Sequence, residues 1–213
     1  MTPSFDRPYW DEHWRQAAAR SSGSALPPNP YLVRQVGEVP PGSALDAGCG
    51  EGAEAIWLAG LGWRVSAVDI SREALARAGE RAARSGVAAD GIGWVEADLG
   101  VWEPGRQYDL VTTHYAHPAM PQLDFYERLA GWVAHGGTLL IVGHRHDDGA
   151  HGHRHGAPHQ HPEEVSVTAV AVTERLDPSM WEVVTVDEPT RTVTNNVGHA
   201  VTLADVVVCA RRR

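Results

Sequence analysis

Three carboxylates, Asp46, Asp69 and Asp98, recur at equivalent places along this chain, each at or just past the end of a short apolar run. Asp46 opens the stretch DAGCGEG, in which Gly48, Gly50 and Gly52 allow a sharp turn and a close approach to a ligand where a Cβ would collide. An apolar run before such a turn and a helix-forming run after it make the phosphate- or nucleoside-binding start of an open α/β sheet. A carboxylate just ahead of the turn repels a pyrophosphate and suits a ligand with a cationic amino group. Asp69 follows Gly50 by nineteen residues, where such sheets carry the acid that hydrogen-bonds both ribose hydroxyls. Asp98, in EADL, stands where a purine amino group would be met, with Leu99 and Ile70 as apolar walls. Singly, Asp69 can also be read as a helix N-terminal acid, and Asp98 is more simply a solvated loop acid; in series they point to one ligand.

The second set of reactive residues is histidine. His114 and His117 lie in TTHYAHP, past the fourth apolar run, where the carboxyl ends of strands border a ligand. Either has the basicity for proton transfer near neutral pH, and the plainer reading of both is a packing or orienting histidine. Tyr115 between them is a candidate lining residue for a second substrate. Seven of the twelve histidines fall between positions 144 and 161. His151, His153 and His155 alternate, so an extended segment would turn all three imidazoles to one side, a ligand set for a divalent metal such as Zn, Ni or Cu. The plainer expectation for 144–162 is a polar lid, since Gly, Pro and His together build no core.

The elements that position these residues are legible from period and punctuation. Strands are expected over 44–47, 64–68, 92–96, 108–112, 138–142, 181–186 and 203–210, with helices over 51–61, 71–84, 121–134 and 168–176. Ser71 is the expected N-cap of the second of these helices, with Glu73 favourable in its first turn. Five strands separated by helices or helix-sized loops predict a doubly wound, mostly parallel, seven-stranded Rossmann-like α/β sheet. No crossover helix fits between the last two strands, which are therefore expected to pair antiparallel through a polar turn containing Asn195, Asn196 and Gly198. Ahead of them, Tyr9, Trp10, His13, Trp14 and Ala17 share one face of a helix. That face either packs on the sheet or covers the ligand as a lid. A single domain over 1–213 is expected, with 1–42 as its helical N-terminal part and 144–162 as an insertion.

Composition narrows the classes. A net charge of −9 over 213 residues opposes a nucleic-acid partner. All eighteen basic residues are arginine and they are dispersed. Cys49 and Cys209 do not suggest a disulfide framework, and no apolar run approaches the roughly 20 residues of a membrane span. The expectation is a cytoplasmic protein without a membrane partner.

With the motifs LDAGCGEG, AVDIS, EADL, YDLVTTHYAHP and GGTLLIVGH in hand, residues 43–143 resemble the class I S-adenosylmethionine-dependent methyltransferases. Within that superfamily the chain is most similar to the small tellurite-resistance and thiopurine-type enzymes. The resemblance implies S-adenosylmethionine (SAM) as cofactor and methyl transfer to a small-molecule acceptor by in-line displacement. It implies that Asp46 and the Gly48–Gly50 backbone, with Cys49, hold the methionine end, that Asp69 binds the ribose, and that Ile70, Asp98 and Leu99 receive the adenine. Thr113 joins this set, and His114 and His117 are its candidates for proton transfer. Two other readings compete: a metal-binding or sensing protein on the same fold, and a NAD(P)-dependent oxidoreductase, since Gly48, Gly50 and Ala53 formally satisfy the dinucleotide fingerprint. Asp46 and Asp98 both oppose the oxidoreductase.

Overall fold

In the computed structural model, which describes residues 5–20, 27–145, 167–194 and 200–213, the chain is organised about the strand that carries Asp46. Ser43–Ala47 (β1) has four of its five residues buried, because parallel neighbours flank it and both faces of the sheet are covered. Its neighbours are Arg64–Asp69 (β2) and Tyr108–His114 (β4). Ile92–Glu96 (β3) lies outside β2, and Val133–His144 (β5) outside β4. Ala200–Arg212 (β8) runs antiparallel to β5 and carries Trp181–Asp187 (β6) on its other edge and Thr190–Thr194 (β7) against its first half. The order is β3-β2-β1-β4-β5-β8-β6, with β7 off the path on β8.

Between β1 and β4 the order reverses, and the helices after β1 and β4 lie on opposite faces. Such a switch point opens a crevice beyond the strands' carboxyl ends. Strand residues alternate between two cores as the pleat requires. Leu139, Ile141, Val206 and Val208 pack with Phe125 and Leu129 of Gln122–Gly131 (α5) and with Val172 of Ala169–Thr173 (α6). Leu140, Val142, Val207 and Cys209 pack on the other side, with Ala55 and Leu58 of Ala53–Gly60 (α3) and with Leu32 and Val36 of Pro30–Val36 (α2). Arg72–Ser85 (α4) begins at Ser71, whose hydroxyl accepts from the Ala74 amide at 3.3 Å, and ends on Gly86 in the left-handed region. Arg7–Arg20 (α1) packs across α4.

The expected sheet and its antiparallel closing strands are present, with three local departures. β4 continues through Thr113 and His114, so both stand on the strand rather than past it. α5 stops at Gly131, and β5 begins at Val133, well before Thr138. Trp132 and Val133 continue an apolar helical pattern, but each is buried against the sheet; a register shift beside Tyr108 and a positive φ at Gly136 absorb the irregularity. β7 is an additional strand that pairs with β8 ahead of the expected one, in a stretch too polar to stand out by alternation. Among the described residues no helix is long and apolar enough to cross a membrane.

Candidate functional site

One cavity of about 570 Å³ lies over the carboxyl ends of β1 to β4. Gly48 turns the chain off β1 with φ +80°, and a Cβ there would overlap that of Ala116 from the loop after β4. At Gly50, φ is +50° and a Cβ would stand 2.9 Å from the Trp14 ring. Both positions therefore require glycine, for backbone conformation and for space. The Gly48 and Cys49 amides are held by the Val68 carbonyl at 2.8 and 3.0 Å, which fixes the turn to the end of β2.

Asp69 and Asp98 border this cavity with Glu54, Ile70 and Leu99, as do Gly48, Cys49 and Gly50. Asp69 accepts from the Gly50 amide through Oδ2 and from the Ser71 amide through Oδ1, both at 2.9 Å, so one carboxylate ties the glycine turn to the start of α4. Asp98 accepts from the Gly100 amide at 2.8 Å. Asp46 and Thr113 do not border the cavity. Asp46 is 1% exposed beneath the turn; a backbone hydrogen bond from Ala55 reaches it, while its Oδ2 has no partner among the described residues. Thr113 donates to the Ala47 carbonyl at 2.8 Å, cross-linking β4 to β1.

Charge at this end is unbalanced. Burial, reinforced by Glu54 and Asp69, raises the Asp46 carboxyl well above its ordinary value. Burial also raises Asp69, against the Ser71 and Gly50 amides that oppose it. The Cys49 thiol rises for the same reason, with Asp69 and Asp46 adding to burial. Arg77 and Arg81 of α4 stand near but are engaged by Glu51, at 3.2 and 2.5 Å. The turn is a cluster of acids that gains by meeting a cation.

α1 closes one side, bringing Tyr9, Trp10, His13 and Trp14 to the cavity with Phe5 ahead of it. The Ser71 hydroxyl donates to Asp11 at 2.5 Å, Arg77 Nη1 donates to the Trp14 carbonyl at 2.6 Å, and Arg7 pairs with Glu96. The aromatic face expected of this helix thus lies over the glycine turn.

The far wall comes from the loop after β4 and from β5 and β7. His117 is buried, with Nδ1 3.3 Å from Gln122 Oε1. Gln122 Nε2 donates to the Ala116 carbonyl at 2.9 Å, so the amide oxygen is the atom that faces His117, and Nδ1 must carry the proton. In the neutral ring the basic atom is then Nε2. His117 stacks on His144, and His144 on Tyr115, with centroids 5.7 and 4.5 Å apart. His114 contacts Thr112 Oγ1 at 3.4 Å through Nε2, and burial lowers its pKa against the pull of Glu54. Tyr115 has φ +56°, a strained value for a residue with a side chain, and its hydroxyl meets Arg191 of β7 at 3.0 Å. His151, His153 and His155 lie outside the described residues; among the described residues no group of three or more His, Cys, Asp or Glu side chains is placed to hold a metal.

Sequence reading did not find Glu54, Asn29 or Arg191. Asn29 precedes Pro30 and caps α2 by accepting from the Tyr31 amide at 2.9 Å, a signal that marks a helix start but not a site. Arg191 carries no local signal.

Residues 44–137 match the methyltransferase domain family. Over 110 residues the chain is 34% identical to the ribosomal RNA small subunit methyltransferase C of Alcanivorax borkumensis, an alignment taking in 49% of this chain and 33% of that protein. The chain thus spans about a third of that relative's length. Its fold superposes on TehB from Haemophilus influenzae with a TM-score of 0.69 at 17% identity, covering 97% of this chain and 67% of that one. It superposes equally on the magnesium protoporphyrin IX methyltransferase of Synechocystis with bound SAH, with a TM-score of 0.66 at 17% identity, covering 97% and 98%. The Rossmann-like fold and the methyltransferase resemblance read from the sequence are both upheld.

Proposed function

We propose that this chain, whose residues 44–137 carry a methyltransferase domain on a class I SAM-dependent methyltransferase fold, transfers a methyl group from SAM to a small molecule. The observation that carries the reading is a single cavity bordered at one end by Asp69, Asp98 and Glu54, with a glycine turn between them and Asp46 beneath it. A cation with a ribose and a purine fits that set of donors and acceptors; a pyrophosphate does not. SAM supplies, when bound, a methyl already activated on a sulfonium.

The chain's own work is positioning and drying. Asp69 is set to receive two ribose hydroxyls, and Asp98 with Leu99 and Ile70 to receive the base. Glu54, with the buried carboxyl of Asp46 behind the turn, favours the cationic methionine end. The aromatic face of α1 excludes water, which favours a displacement in which charge is lost. His117 is the better placed proton acceptor, because Gln122 holds its tautomer with Nε2 basic; it is needed only where the acceptor atom carries a proton.

A small acceptor is favoured over a macromolecular one on two counts. The cavity falls within the roughly 300–1,000 Å³ of small-molecule sites and is roofed by α1. The net charge of −9 opposes an RNA such as the Alcanivorax enzyme's name denotes. The test is calorimetric titration with S-adenosylhomocysteine (SAH). Binding is expected in the wild type, with a loss of about 10- to 100-fold in Asp98→Ala and more in Asp69→Asn, as for hydrogen bonds to charged groups. NADH binding without SAH binding would overturn the reading. A screen of thiols, phenols and oxyanions for SAH release then identifies the acceptor.

A further inference from the structure

The proposed reaction requires a second substrate, and the cavity's far wall carries information about it. Among the described residues, Arg191 is the one arginine that borders the cavity, and the chain has no lysine. Arg191 is held from behind: its Nε donates to Asp205 Oδ2 at 2.6 Å, and Asp205 is 0% exposed. Tyr31 donates to the same oxygen at 3.2 Å. Arg191 Nη2 donates to the Tyr115 hydroxyl at 3.0 Å. Nη1 has no partner among the described residues. A buried carboxylate thus fixes one edge of the guanidinium and leaves the rest of its planar fork toward the cavity.

Tyr115 completes the arrangement. Its oxygen accepts from Arg191 Nη2 at 3.0 Å. A guanidinium only donates, so the hydroxyl hydrogen is not used in that bond and remains to be donated. Tyr115 stays protonated at neutral pH, its pKa pushed up to about 12 by burial and by Asp205. The left-handed backbone of Tyr115, costly for a residue with a side chain, persists in a position where the ring meets Arg191 and His144. Two donors with no matching acceptor among the described residues, Arg191 Nη1 and the Tyr115 hydroxyl, therefore stand together at the border of the cavity.

Resting on the methyltransferase reading, we propose that Arg191 and Tyr115 form an anchor for an acidic group, and that the methyl acceptor is a small molecule bearing a carboxylate or oxyanion. Asp69 and Asp98 then serve the cationic donor, and the guanidinium–phenol pair the anionic acceptor. Asp205 neutralises Arg191 overall, so recognition works through directed hydrogen bonds to an anion rather than through net charge.

The test uses matched probes on the full-length protein. Benzoate with benzamide, and 3-mercaptopropionate with 3-mercaptopropionamide, are titrated into the protein saturated with SAH. Each acid is expected to bind at least tenfold more tightly than its amide. Tyr115→Phe should reduce that preference several-fold, and the paired variant Arg191→Gln/Asp205→Asn, which removes the ion pair without leaving a buried charge, should abolish it. Neither should change SAH affinity. Equal binding of acid and amide, no binding by either acid, or wild-type preference in both variants would overturn the proposal. Should the paired variant fail to fold, Tyr115→Phe, which leaves the ion pair intact, decides. Failure of the methyltransferase reading is separately visible as absent SAH binding, and the acid–amide comparison then decides the anchor on the unliganded protein.

Discussion

Buried carboxylates are normally stabilising when paired and costly when not, and Asp46 is of the second kind. Its folded pKa is raised above the ordinary 3.8, chiefly by burial. The sign follows: its favourable contribution is complete below about pH 4, where it is protonated in both states, and is lost as pH rises through the folded value. Asp46→Asn should therefore stabilise the ligand-free protein by an amount that grows from about zero near pH 4 as pH is raised. Melting temperatures across that range check this, and a destabilised variant at neutral pH would contradict it. Gly48 makes a complementary case. Gly48→Ala meets both a positive φ and the Ala116 side chain, and is expected to cost more than about 1 kcal/mol in denaturant unfolding. For His117, replacement by Gln should lower the methyl-transfer rate about 10²-fold or more toward an acceptor whose attacking atom is protonated, with SAH affinity unchanged. An equal rate would assign His117 to packing against Phe5 and His144.

At the scale of elements, the site depends on how α1 is fastened. Arg77 Nη1 donates to both the Trp14 carbonyl and Glu51, and Arg81 supports the same Glu51. Arg77→Ala leaves Glu51 paired with Arg81, so the core of the sheet is spared while α1 loses a clamp. The expected result is faster limited proteolysis within residues 5–20 and several-fold weaker SAH binding. The melting temperature should shift by only a few degrees, as for roughly 1 kcal/mol. Unchanged proteolysis would mean that Ser71–Asp11 and Arg7–Glu96 hold the helix without help. Elsewhere the elements follow local chemistry: α4 starts where Ser71 caps it and stops at Gly86. The exceptions are informative. Trp132 and Val133 read as helix by apolar period, yet Trp132 ends α5 in a turn and Val133 starts β5 opposite Tyr108, and both are buried there. Tertiary burial overrides a local pattern of that length.

At the scale of the molecule, the chain carries a net charge of −9. No retardation by ribosomal RNA is expected at physiological salt, and a salt-dependent shift would reopen a macromolecular acceptor. Much of the frame is determined by sequence alone. The strands read by period, Asp69 and Asp98 bordering the cavity, the need for glycine at Gly48 and Gly50, and the antiparallel closure all follow from residues close together in the chain. These are short-range consequences of strand pleat, turn sterics and helix capping, and they account for the glycine-turn end of the cavity. The far wall is different. Tyr115 meets Arg191 across 76 positions, and Tyr31 meets Asp205 across 174. No local pattern encodes such meetings, because β7 and β8 bring their side chains to the cavity only once the antiparallel strands have paired. Asp46 shows the converse: its place ahead of the glycine turn was legible, but only packing decided that it lies beneath the turn and out of the cavity. Local stereochemistry thus determined the glycine-turn half of the cavity, and long-range strand pairing decided the far wall.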